Sequence, residues 1–76
     1  MPGILDRKLA EFLEKERGDL SYAEFGRKLG LSKTTVYNLE KLWRSASLQT
    51  VEQICQKLLV SPSEIFGSDT FKSRRG

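Results

Sequence analysis

Histidine is absent, and cysteine occurs once, at Cys55. The first absence removes the commonest general base and the commonest zinc ligand. The two together exclude a thiol-protease dyad, a structural zinc site and an internal disulfide, and a lone thiol fits a reducing, cytoplasmic compartment. No apolar run approaches the roughly 20 residues that span a bilayer. The opening stretch is charged from Asp6 onward and lacks the apolar core of a secretory signal, so neither membrane insertion nor a leader is expected. No Gly-rich phosphate loop of the Walker or Rossmann kind occurs. No residue spacing suggests carboxylate or Ser/Lys catalysis. The chain is therefore expected not to be an enzyme, and no cofactor or metal is implied.

What is present fits a single small folded domain. The 76 residues are 38% hydrophobic and 30% charged, a balance typical of a soluble globular chain rather than a disordered one. The formal net charge is +3, and its distribution says more than its size. Residues 1–26 hold four basic and six acidic side chains. Residues 27–44 hold Arg27, Lys28, Lys33, Lys41 and Arg44 against Glu40 alone. Residues 45–66 are slightly acidic, and the tail 68–76 carries Lys72, Arg74 and Arg75 against Asp69. Positive charge concentrated in one central segment and one tail is the footprint of a polyanion partner, although a merely solvated face has the same composition.

The chain reads as a string of five short helices, an all-α bundle. Leu5, Leu9, Phe12 and Leu13 recur on one helical face from about Leu5 to Arg17, and Gly18 ends that helix. Ser21-Tyr22-Ala23-Glu24 is a capping box opening a second helix to about Leu29, with Gly30 as its natural terminator. Ser32 caps a third helix reaching about Lys41, with Val36 and Leu39 facing inward. Leu42 to Ala46 reads as a loop. Ser47 caps a fourth helix whose inward stripe is Leu48, Val51, Ile54, Cys55 and Leu58. Ser61-Pro62-Ser63-Glu64 opens a short fifth helix that ends near Gly67. Residues 68–76 are polar and basic and are expected to form a flexible tail.

The second and third helices with their joint form a helix-turn-helix over about residues 21–41. The geometry makes specific demands. Two helices crossing steeply need a small side chain at their contact, and Gly26 stands there despite costing about 1 kcal/mol relative to Ala in a helix interior. Gly30 supplies the left-handed turn, Leu31 plugs the core behind it, and Val36 and Leu39 anchor the third helix. Lys33, Thr34, Thr35, Tyr37, Asn38 and Lys41 are left on the other faces of that helix.

These residues carry a family resemblance. Leu20, Ser21, Phe25, Gly26, Leu29, Gly30, Leu31, Ser32, Val36, Leu39 and Glu40 match the pattern of the Cro/phage-repressor helix-turn-helix family, the lambda-repressor-like DNA-binding domains. The resemblance covers residues 20–66, about 47 of the 76. It implies a helix-turn-helix DNA-binding domain over 1–67, whose third helix lies in the major groove with its N-terminal residues at base edges. The matching positions are Lys33, Thr34, Thr35 and Asn38, with Tyr37 beside them. Lys33 suits guanine O6 and N7, Asn38 suits adenine N6 and N7, and a threonine methyl suits the thymine methyl. Ser21 and Tyr22, at the start of the second helix, match positions that approach phosphate. Lys41, Arg44, Ser45 and Ser47 match the loop and helix start that flank the backbone.

The chain also departs from the family pattern. Tyr22 stands where the family usually has a Gln that contacts DNA and braces the third helix; Tyr22 is either a packed aromatic or a phosphate contact. Leu42 and Ala46 replace a usual Gly and Pro, so the third helix either stops before Leu42 or runs on through it. Trp43 either covers the core edge or, with Leu42, forms a dimer contact. Cys55 reads as a buried structural thiol. Phe71 in the tail either docks back or serves a partner. The resemblance thus implies a transcriptional regulator of bacterial or phage type, a repressor binding double-stranded DNA as a homodimer. The rivals are an antitoxin bound to a toxin partner, a restriction–modification controller, and a helix-turn-helix retained for protein interaction.

Overall fold

The computed structural model describes residues 3–67; the basic tail, with Phe71, Arg74 and Arg75, lies outside the described residues. Five helices follow one another: α1 (Ile4–Arg17), α2 (Tyr22–Leu29), α3 (Lys33–Glu40), α4 (Leu48–Leu58) and α5 (Pro62–Phe66). The all-helical expectation holds, with helix ends within a residue of those read from the sequence. α1 packs on α3 and α5, α2 on α3 and α4, and α4 on α5. Their shared core is Leu9, Leu13, Phe25, Leu29, Val36, Leu39, Ile54, Cys55, Ile65 and Phe66. Burial of the Cys55 thiol raises its pKa, which keeps it protonated and inert.

Local chemistry starts each helix. The Ser21 hydroxyl accepts from the Glu24 amide at 3.0 Å while the Glu24 carboxylate accepts from the Ser21 amide, also at 3.0 Å. These bonds to Ser21 hold the Glu24 carboxyl below its usual range. Ser32 and Ser47 cap α3 and α4 in the same way, each accepting at 3.1 Å from the amide three residues on. At α5 only half the box forms. The Glu64 carboxylate accepts from the Ser61 amide, and the Ser61 hydroxyl pairs instead with that of Ser63.

Helix ends are built alike. α2 closes with Leu31 N–H donating to the Gly26 carbonyl at 2.8 Å around Gly30, which is left-handed at φ 74°. α3 closes with Trp43 N–H on the Asn38 carbonyl around Leu42 at φ 61°. α4 closes with Val60 N–H on the Cys55 carbonyl around Leu59 at φ 58°. All three are Schellman-type ends, a position that favours glycine. Leu42 thus adopts the conformation its missing glycine would have taken, and α3 stops at Glu40 instead of running on.

The structure corrects two inward assignments and removes one of the two readings of Trp43. Leu48, placed on the α4 stripe, is 89% exposed, because it is the first residue of the helix and projects past its neighbours. Leu5 is also exposed, one turn before α1 reaches the core. Trp43 does not cover the core edge: it is 69% exposed, carried outward by the turn at Leu42.

Gly26 behaves as its place in the crossing requires. A Cβ there would stand 2.6 Å from the Leu31 carbonyl oxygen and 3.3 Å from the Ser32 carbonyl carbon, both backbone atoms. Gly26→Ala therefore tests the crossing. Helix propensity alone would stabilise by about 1 kcal/mol, whereas the clash costs roughly 1–3 kcal/mol. Urea denaturation is expected to show net destabilisation, and a gain in stability would remove the close approach. Leu59 offers the opposite test. Its side chain is 90% exposed and its left-handed backbone is strained, so Leu59→Asn should stabilise by about 0.5 kcal/mol, read as a raised urea midpoint.

Candidate nucleic-acid interface

α3 presents its first turn to solvent. Ser32 holds the helix start, so Lys33 and Thr34 leave the body of the domain fully exposed. Neither side chain makes a hydrogen bond or ion pair among the described residues. Thr35 is half-buried, and its Oγ1 accepts from the Ser32 hydroxyl at 2.9 Å. Its methyl group and the hydroxyl's own proton are left for an outside partner. Asn38 is half-buried, and its backbone carbonyl serves the end of the helix.

An aromatic row lies along one side of α3. The Tyr22 and Tyr37 rings meet edge to face at 5.2 Å, and Tyr37 and Trp43 at 5.5 Å. Such contacts each contribute about 0.5–1.5 kcal/mol. Cations sit over both tyrosines, with the Arg17 guanidinium 4.2 Å from the Tyr22 centroid and the Lys41 ammonium 5.6 Å from that of Tyr37. Tyr22 is thus a packed aromatic that braces α3 through Tyr37.

Two long-range fasteners hold α3 in place, and neither was read from the sequence. At its C-terminal end, Arg17 reaches across from α1 to Glu40 in a bidentate pair, Nε to Oε2 at 2.8 Å and Nη2 to Oε1 at 3.1 Å. Arg17 Nη1 also donates to the Leu20 carbonyl at 3.0 Å. The Arg17 side chain is 18% exposed and that of Glu40 4%, and the bond to Glu40 raises the arginine's pKa. At the other end, Gln53 of α4 donates through Nε2 to the carbonyls of Leu29 at 2.8 Å and Gly30 at 3.0 Å. The orphan carbonyls at the end of α2 are thereby satisfied, and the turn is tied to α4.

Around this frame the basic residues of segment 27–44 are exposed. Glu40 is consumed by Arg17, which leaves Arg27, Lys28, Lys33, Lys41 and Arg44 exposed without a nearby uncommitted carboxylate from their own segment. The serines differ in their freedom. Ser21 and Ser47 are exposed caps at the starts of α2 and α4. Ser45 is turned back, donating to Asp6 Oδ2 at 3.1 Å and tying the α3–α4 loop to α1. Among the described residues no cluster of His, Cys, Asp or Glu is placed to hold a metal ion, and no helix is long and apolar enough to cross a membrane.

The helix-turn-helix family model matches residues 9–65. No curated protein and no solved structure gives a match. The chain belongs to the helix-turn-helix family of the Cro and phage-repressor type, a family of DNA-binding regulatory domains.

The Arg17–Glu40 pair is measurable by a double-mutant cycle with Arg17→Met and Glu40→Gln. Exposed pairs couple by about 0.2–1 kcal/mol and buried ones lose several when one partner is removed. For this mostly covered pair the coupling from urea denaturation should fall at roughly 1–3 kcal/mol. Additive single mutants would show that the pair does not hold α3.

Proposed function

We propose that this helix-turn-helix chain is a transcriptional repressor that binds an inverted-repeat operator as a homodimer. The observation that supports this most is the uncommitted first turn of α3, with Lys33 and Thr34 exposed on the most basic segment of the chain. In the major groove Lys33 donates to guanine O6 and N7, Thr34 and the Thr35 methyl meet neighbouring bases, and Asn38 pairs with adenine where the groove curves back. Tyr37 lies beside them as the support for this row.

Phosphates flank the readout. The first amides of α2 and α4, with the Ser21 and Ser47 hydroxyls, receive the backbone on either side. Lys41 and Arg44 add charge, and Tyr22 offers its phenolic hydroxyl. Ser45 reaches a phosphate only by leaving Asp6. Such contacts set register and supply a large share of the affinity without reading sequence. Leu42 and the exposed Trp43, at the end of α3, form the dimer contact that fixes the spacing of two half-sites, about one helical turn apart. Occupancy of the operator is the regulatory act.

Selection from a random duplex library at about 50 mM salt tests the reading. An enriched inverted repeat with half-sites about 10 bp apart is expected. Enrichment of single half-sites would overturn the dimer, and no enrichment would leave the helix-turn-helix to protein interaction. Within the same selection, Lys33→Ala should relax preference at one position per half-site, a discrimination worth about 1–3 kcal/mol. An unchanged selected sequence would remove Lys33 from the readout.

A further inference from the structure

Away from α3, the first turn of α1 and the helices α4 and α5 enclose a groove of about 1020 Å³. Ile4, Leu5, Leu48, Val51, Val60 and Phe66 make most of its apolar wall. Ile4 and Leu48 are largely in water, at 68% and 89% exposure. Large aliphatic side chains gathered in this way mark a surface that something covers. The polar side chains along the groove include the carboxylates of Asp6 and Glu52, and no basic residue lines it.

We propose that the occupant is this chain's own C-terminal segment, residues 68–76, with the Phe71 ring seated on the apolar wall. Three observations converge on it. The described chain ends beside the groove, since Phe66 and Pro62 line it and Gly67 follows directly. Phe71 lies five residues past Phe66, a span of up to roughly 17 Å in extended chain, which is enough to return across an adjoining groove. The chemistry also matches. The segment has one large apolar side chain, Phe71, followed by Lys72, Arg74 and Arg75, and the groove offers an apolar wall edged by acids. Docking in this way buries Ile4, Leu5 and Leu48 and brings the tail cations to Asp6 and Glu52. The proposal does not depend on the DNA reading, because the groove is built from α1, α4 and α5 and not from the exposed face of α3.

Nuclear Overhauser contacts in the full chain decide it. The expected result is contacts from the Phe71 ring to the methyls of Leu5, Leu48 or Val51, unchanged on tenfold dilution. They should also be absent between labelled and unlabelled copies in an equimolar mixture. Phe71→Ala should then lower the Tm by roughly 4–8 °C, the shift expected for losing one seated anchor in a domain of this size, and Phe71→Leu should restore most of it. Absence of the intrachain contacts would overturn the proposal. Contacts seen only between copies would also overturn it and give the groove to a second chain.

Discussion

The carbonyl oxygen of Leu31 occupies the space where a side chain at position 26 would begin, and the arrangement of α2 and α3 depends on that approach. With glycine at 26 the backbone of the turn closes directly onto α2, and Leu31 N–H completes the closure by donating to the Gly26 carbonyl at 2.8 Å. The following residues then enter α3. Val36 and Leu39 are driven into the core beside Phe25 and Leu29, so the opposite face of α3 is presented outward. A larger residue at 26 would push the turn away by several tenths of an ångström at the point where α3 takes its direction. Everything that α3 offers to a partner would shift with it.

A helix of eight residues has little stability of its own, so its pose must be fixed from outside. This chain does so at both ends. Gln53 fastens the turn before α3 to α4, and Arg17 fastens Glu40 at its end to α1. Arg17 also bonds to the Leu20 carbonyl and covers Tyr22, which in turn supports Tyr37. One arginine thus joins α1, the start of α2 and both the side and end of α3. Because Arg17 takes up Glu40, the only carboxylate in residues 27–44, the same pair that orients α3 also leaves that segment's cations without an uncommitted carboxylate of their own segment. Mechanical support and electrostatic character come from a single contact.

The signals that proved legible in the sequence are local. Caps at Ser21, Ser32 and Ser47, the terminator Gly30, and apolar spacing within each helix act over three or four residues, so they can be read without knowing the fold. Gly26 was legible for a different reason: a costly residue in a helix interior points to a contact. Arg17–Glu40 and Gln53–Leu29 join residues 23 and 24 positions apart, and nothing in their local sequence announces the partner. The errors have the same origin. Leu5 and Leu48 fit their helical periodicity, but each sits in a first turn, where the period continues after the packing neighbour has ended. Trp43 was ambiguous because its direction depends on Leu42, whose left-handed backbone is uncommon for leucine.

The surroundings of α3 also sort the residues that share its outer side. Tyr37 is held between two aromatic rings, the Thr35 hydroxyl is paired with Ser32, and the Asn38 carbonyl is spent on the helix end. Each of these residues gives part of its capacity to keeping α3 in place. The side chains of Lys33 and Thr34 give none. A short helix cannot free every side chain for recognition, because some must serve its own anchoring. In this chain the uncommitted side chains, Lys33 and Thr34, stand in the N-terminal turn, and the aromatic and ionic support lies toward the C-terminal end.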